Sequence, residues 1–328
     1  NILPLSLEKY FMENKVESDL PLNFTLNDDH LRLNDGTASD SSNQELVVFS
    51  DLSLENLLAL QSNCHLNIDT LSAINTRNNL TSYRFNVSCD DFIKSRKALA
   101  DFALSQKIEA ALIKNAPKLN EPGLLVMDMD STTIEIECID EIAKLAGVGE
   151  QVAAVTELAM QGELDFAQSL HQRVATLADA PEKILADVAK NIPLMAGLET
   201  LISELKKHNW RIAVASGGFT YFADHLKEML SLDATFANVL EIVDGKLTGK
   251  VLGGVVDAQV KADSLNLLAE KYQISPSQTV AMGDGANDLV MMAAASFGVA
   301  FHAKPIVLAQ ADSTINQQGL DCLLHWLA

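Results

Sequence analysis

The run Leu124-Leu125-Val126-Met127 leads directly into Asp128-Met129-Asp130-Ser131-Thr132-Thr133, so a short apolar segment delivers two carboxylates to the end of a buried strand. Pro122-Gly123 bounds the run on one side and polar residues on the other, which suits a strand of a parallel sheet covered on both faces. Sheets of that kind bind ligands beyond the carboxyl ends of their strands. Residues two apart on a strand share a face, so Asp128 and Asp130 bring like charges together and call for a cation or a shared proton. A hard divalent cation is the natural partner for such oxygens. Taken alone, Asp-x-Asp-Ser-Thr reads first as a strand end followed by a helix cap; the segments further along the chain change that reading.

With 328 residues and 48% hydrophobic content, the chain can bury a large core and is expected to hold two domains. No apolar run approaches the ~20 residues of a membrane span. The opening Asn1-Ile2-Leu3-Pro4-Leu5 lacks a basic segment followed by a long apolar one, so no signal peptide is read in it and the expected location is the cytoplasm. Cys64, Cys89, Cys138 and Cys322 are scattered without a paired metal spacing, which favours reduced thiols over a disulfide framework or a zinc site. A net charge of -20 argues against a nucleic-acid partner, because backbone binding needs clustered Lys and Arg.

Up to about Gln44 the chain mixes polar and apolar segments, ending in a turn-rich or flexible run from Asn34 to Asn43. Strands are then expected at 45–50, 66–74, 83–87 and 108–113, with helices at 53–61 and 90–106. That βαββαβ order gives a ferredoxin-like layer, which looks like the ACT-type modules of amino-acid-metabolism proteins. It carries no ligand motif, and its expected role is homodimer contact or solubilisation ahead of amino-acid sensing. Residues 1–115 form this first domain, and 116–123, with two prolines and a glycine, the linker.

Beyond the Asp128 strand, helical periodicity runs through Cys138–Ala146, 150–161, 165–178 and 181–190 before a further helix at 196–208 and a strand at 211–215. Ser216-Gly217-Gly218 follows, where a helix is expected to begin. Glycines there admit close approach of an anion to backbone amides at the positive end of the helix dipole. Asp244-Gly245 reads as a hairpin turn. Lys261 is expected to open a helix over 262–271, and a strand at 279–282 presents Gly283-Asp284-Gly285-Ala286-Asn287-Asp288. Its acids, with Asp128 and Asp130, complete an oxygen-rich cation site.

Asp128-x-Asp130, Ser216-Gly217-Gly218, Lys261 and Gly283-Asp284-Gly285-Ala286-Asn287-Asp288, in that order, resemble the four motifs of the haloacid dehalogenase superfamily. Within it, Glu137-Cys138-Ile139-Asp140-Glu141-Ile142-Ala143, the stretch Gly162 to Phe166 and the Arg173 region look like the phosphoserine phosphatases. The likeness covers about two thirds of the chain, from near Pro122 onward. It implies an α/β fold in which residues 124–328 form a doubly wound parallel sheet with a helical cap, at about 138–192, inserted after the first motif, beside the N-terminal ferredoxin-like (ACT-like) α+β domain.

The same resemblance implies an Mg2+-dependent hydrolysis of L-phosphoserine to serine and phosphate, the last step of serine biosynthesis, through an aspartyl-phosphate. Asp128 is then the nucleophile and Asp130 the general acid and base. Mg2+ is held by the Asp128 and Asp284 carboxylates and by Asp130 through its backbone carbonyl. Ser216, Gly217, Gly218, Lys261 and Asn287 hold the phosphoryl oxygens, and Asp288 orients Lys261. Glu137, Met160, Phe166 and Arg173 grip the amino-acid end. A cation, Lys261, Arg173 and backbone amides would make a local positive well in an otherwise acidic protein. Two other readings stand beside this one: a phosphotransferase using the same phosphoenzyme, and a regulatory protein with a degenerate core, against which the four intact motifs speak. Every motif lies beyond Pro122, so residues 1 to about 115 are expected to be dispensable for chemistry.

Overall fold

The computed structural model describes residues 2–14, 20–28, 30–34 and 43–328. The chain forms two compact units, one of Asn1–Leu119 with Val299–Ala328, the other Asn120–Gly298. No helix among the described residues is long and apolar enough to cross a membrane.

The first unit begins with α1 (Leu7–Glu13), β1 (Leu22–Leu26) and β2 (Leu31–Asn34), then β3 (Gln44–Phe49), α2 (Leu54–Asn63), β4 (Leu66–Arg77), β5 (Leu80–Cys89), α3 (Phe92–Gln106) and β6 (Ala110–Lys114). From β3 onward this is the expected βαββαβ unit, and its strands lie in the ferredoxin-like order β4-β5-β3-β6. The β1–β2 hairpin adds two strands beside β4. That addition follows from alternation in a stretch left unassigned on sequence: Leu22, Phe24 and Leu26 point inward while Thr25 faces solvent. Phe24 then packs on Phe85, ring centroids 4.8 Å apart, and Phe11 of α1 packs edge-on against Tyr83 at 4.8 Å. Of the turn expected between Asn34 and Asn43, residues 35–42 lie outside the described residues.

In the second unit β7 (Leu124–Met127) is followed by α4 (Cys138–Ala146), α5 (Gly149–Met160), α6 (Phe166–Ala175), α7 (Lys183–Ala189) and α8 (Leu198–Lys207). Next come β8 (Arg211–Phe219), α9 (Thr220–Leu230), β9 (Ala234–Val243), β10 (Lys246–Leu252), α10 (Ala258–Lys271), β11 (Thr279–Gly283) and α11 (Leu289–Ala294). Strand order is β10-β9-β8-β7-β11, with β7 parallel to both β8 and β11. All four β7 residues are fully buried, which is why the segment is an unbroken apolar run. Asp244 and Gly245 both have left-handed backbone, as the two-residue turn between β9 and β10 requires.

Two expectations are corrected here. Ser216-Gly217-Gly218 does not open a helix: β8 stays extended through Phe219, which pairs with Asn238 of β9, and α9 starts at Thr220. Lys261 is not the first residue of its helix, because Asp257 caps α10 through the Val260 amide at 3.0 Å and sets Lys261 one turn in.

From Val299 the chain rejoins the first unit, where β12 (Phe297–Phe301) pairs in parallel with β13 (Ser313–Ile315), with α12 (Pro305–Gln310) between them and α13 (Leu323–Trp326) last. Buried Arg84 donates to the carbonyls of His325, Trp326 and Leu327 at 2.9–3.3 Å while its Nε pairs with Glu45 at 3.1 Å. Arg77 adds bonds to Leu324 and Leu327. These guanidinium groups satisfy the carbonyls that a helix end leaves unpaired. Burial pushes His325 down to about 4, so a neutral ring sits between Ser82 and Asn78. Replacing Arg84 with Met should therefore lower the free energy of unfolding by about 3 kcal/mol in urea titrations, the scale for removing one partner of a buried, hydrogen-bonded charge. A loss below about 1 kcal/mol would mean the clamp contributes little.

Candidate active site

β7 and β11 end side by side, and the Asp128 amide continues their ladder by donating to the Met282 carbonyl at 3.0 Å. Asp128 Oδ1 accepts from the Met129 amide at 2.8 Å and lies 3.2 Å from Lys261 Nζ. That ammonium is 0% exposed and lies 2.9 Å from Asp288 Oδ1. Asp288 Oδ2 accepts the Asp284 and Gly285 amides, both at 3.1 Å. A side chain at Gly283 would occupy the space of the Asp288 carboxylate, which explains a glycine at the end of β11. Thr132 donates to Asp284 Oδ1 at 3.3 Å.

One oxygen from each of Asp128, Asp284 and Asp288 falls within 4.8 Å of the others. Three buried carboxylates face one ammonium, an excess of negative charge that a hard divalent cation would balance. Both Asp288 oxygens already serve Lys261 and two amides, which leaves Asp128 and Asp284 the better candidates to hold such a cation. Burial pushes Asp128 up, with Lys261 opposing and Asp284 adding to the rise. Burial and then Asp128 push Asp288 up to about 7. Burial alone would lower Lys261, but Asp128 and Asp288 outweigh it and its pKa rises, keeping the charge.

Asp130 turns towards α4, where its Oδ1 accepts from the Cys138 amide at 3.4 Å. Burial first, then Glu137 and Asp128, hold it well above the ordinary carboxylate range. Glu137, at the head of α4, accepts from the Ser131 hydroxyl at 2.8 Å. Arg173 of α6 is half-buried, and Asp140, Glu137 and Asp130 offset the lowering that burial imposes on it. α6 starts from a reciprocal cap between Asp165 and Gln168, which seats Phe166. A Cβ at Gly217 would come within 2.5 Å of Phe166 Cζ, so glycine admits the ring over this loop. Ser216, buried, accepts from the Gly218 amide at 2.8 Å, and Asn287 is half-buried before α11. Met160, the last residue of α5, is 77% exposed.

A family model for haloacid dehalogenase-like hydrolases matches residues 123–296. The crystal structure of a probable phosphoserine phosphatase from Vibrio cholerae, unliganded, is similar over 88% of each chain, with 46% identity and a TM-score of 0.73. This chain belongs to the phosphoserine phosphatase family of haloacid dehalogenase-like hydrolases. A phosphoserine phosphatase of Vibrio cholerae serotype O1 is 61% identical over 214 residues, 65% of this chain and 65% of that relative. The match to that relative thus spans a little under two thirds of its length. A structure described as a phospho-aspartyl intermediate analogue of phosphoserine phosphatase covers 63% of this chain and 100% of its own, at 42% identity and TM-score 0.60.

Three residues of this hydrolase site were not singled out on sequence. Ser131, with left-handed backbone at φ 60°, and Thr132 both lie inside the first motif, where hydroxyls beside two acids were signal enough. Asn238 donates to the Gly217 carbonyl from the middle of β9, where nothing in the sequence marks it.

The carboxylate cluster predicts a pH signature. With Asp288 raised from 3.8 to about 7, the folded chain holds protons between those values that the unfolded chain has lost, so without a cation its contribution to stability falls as pH rises through that window. A bound divalent cation replaces those protons. The rise in melting temperature on adding a divalent cation to chelated protein should grow from pH 5 to pH 7.5. A cation effect that is flat or shrinks over that range would contradict this charge balance.

Proposed function

We propose that this chain hydrolyses L-phosphoserine to L-serine and phosphate in two displacements at phosphorus. The observation that carries the reading is Lys261, buried between Asp128 and Asp288, with Asp130, Glu137 and Arg173 close enough to one another to interact on the far side of the first motif.

In the first step an Asp128 carboxylate oxygen forms a bond to phosphorus as the bond to the serine oxygen breaks, and the departing electron pair stays on that oxygen. Asp130, whose charged form burial disfavours, gives the serine oxygen its proton. In the second step the Asp130 carboxylate takes a proton from water, whose oxygen attacks phosphorus and returns Asp128 to a carboxylate. Mg2+, held by Asp128 and Asp284 with the Asp130 carbonyl, supplies charge against the phosphoryl oxygens when bound. Lys261, the Ser216 hydroxyl, the Gly217 amide and Asn287 hold those oxygens, Gly218 supports them by giving its amide to Ser216 Oγ, and Asp288 fixes Lys261. Glu137 takes the substrate ammonium and Arg173 its carboxylate, with Phe166 and Met160 lining the approach.

Residues 124–328 carry this chemistry, 138–192 cap it, and 116–123 link it to residues 1–115, whose role is contact within a homodimer. The setting is cytoplasmic serine biosynthesis.

Phosphate release from L-phosphoserine, dependent on Mg2+, tests the reading directly; serine binding without phosphate release would sink it. The cap pair makes a sharper prediction. Arg173→Ala should lower kcat/KM for phosphoserine by roughly 30-fold or more, the scale for losing a desolvated charged contact, and leave phosphoethanolamine nearly unchanged. Glu137→Gln should instead spare a phosphorylated hydroxy acid that lacks the amine. Equal losses on all three esters would assign both residues to cap shape rather than recognition.

A chain beginning near Leu119 keeps every residue of this mechanism but loses Arg77, Arg84 and Phe49, the partners of residues 324–327. It should retain substantial kcat while melting at a lower temperature. A well-folded truncation that binds Mg2+ but forms no phosphoenzyme would refute the division.

A further inference from the structure

Asn238 is 1% exposed, and both ends of its amide are engaged. Its Nδ2 donates to the Gly217 carbonyl at 2.9 Å, and its Oδ1 accepts from the Val256 amide at 2.8 Å. The β8–β9 ladder explains the need. Ala215 pairs with Phe236 and Phe219 with Asn238, so three residues, Ser216, Gly217 and Gly218, face a single residue on β9 and bulge out of the pairing. A bulge leaves backbone groups without ladder partners, and the Asn238 side chain supplies the one for Gly217.

The Gly217–Gly218 peptide has glycine on both sides, so its two orientations are separated by less conformational cost than any other pair of residues would impose. In the observed orientation its N–H end is held by Ser216 Oγ at 2.8 Å and its C=O end by Asn238. A flipped peptide would turn the carbonyl oxygen towards Ser216 and put a partial negative charge where an anion must bind. Because Ser216 Oγ already accepts from Gly218, its own hydrogen is left to donate to a ligand. The other end of Asn238 fixes Val256, immediately before the Asp257 cap of the helix that carries Lys261.

We propose that Asn238 is a positioning residue: it locks the Gly217–Gly218 peptide in the orientation that keeps the Gly218 amide on Ser216 Oγ, so that the Ser216 hydrogen is left to donate to the phosphoryl group, and ties that loop to the segment leading into the Lys261 helix. This rests on the phosphatase reading given above, and it concerns phosphoryl binding rather than recognition of the amino acid.

The test compares the two products as ligands. Orthophosphate is titrated calorimetrically, with Mg2+ present, into the full chain and its Asn238→Ala and Asn238→Asp variants, and inhibition by L-serine is measured alongside. The Asp variant keeps the acceptor for Val256 and the side-chain volume but has no hydrogen to give Gly217 when ionised. Both variants should bind orthophosphate at least 10-fold more weakly and raise KM for phosphoserine by a similar factor, with the inhibition constant of L-serine within twofold of the parent. Parallel weakening of both ligands, or unchanged orthophosphate binding in a folded variant, would overturn the proposal. A second readout needs no variant: the Gly218 amide of the parent chain should show slow hydrogen exchange, and exchange at the rate of an open loop would equally overturn it. If the parent releases no phosphate from phosphoserine, the functional reading fails, while orthophosphate binding and Gly218 exchange still judge Asn238.

Discussion

A fully buried ammonium can persist only where carboxylates surround it, and the placement of Lys261 between Asp128 and Asp288 sets the terms for everything around it. The three groups come from different elements: the end of β7, the second turn of α10 and the turn after β11. Holding both carboxylates within 3.2 Å of the Lys261 ammonium fixes the spacing of those elements. Asp284 adds a third buried carboxylate to the cluster. The same cluster is thus both a structural tie and a candidate cation site.

On the other side of the first motif the logic reverses. Asp130 has no ammonium partner among the described residues; burial, Glu137 and Asp128 all disfavour its charge. Two carboxylates separated by one residue therefore sit in opposite environments, one beside a cation and one among acids. This division suits the roles proposed for them, one as nucleophile and the other as proton carrier. Ser131 contributes by turning the chain with left-handed backbone and by holding Glu137 beside Asp130.

How much of this was legible in sequence follows from how each feature is encoded. β7 was readable because both faces are buried, which forces an uninterrupted apolar run. The helices between β7 and β8 were readable from periodicity, and the family motifs named Asp128, Lys261, Asp284 and Asp288, which the fold brings together. Where sequence reasoning failed, tertiary contacts decided the outcome. The Ser216–Gly218 segment carries a helix-start composition, yet strand pairing at Phe219 and the Asn238 side chain hold it extended. β1 and its edge neighbour β2 are short, and the alternation of β1 spans only three inward residues, too few to stand out. The docking of residues 320–328 on Arg77, Arg84 and Phe49 depends on contacts across about 250 residues of chain, which no local pattern records.

The central claim is that Asp128, held beside Lys261, carries the phosphoryl group. The most direct measurement mixes the protein and Mg2+ with phosphoserine labelled in its phosphate, quenches in acid on the millisecond scale, and maps the label after digestion. The account predicts label on the peptide containing Asp128, released by hydroxylamine as an acyl phosphate and formed at least as fast as turnover. Turnover with no covalent label at any time, or label on a different residue, would contradict it.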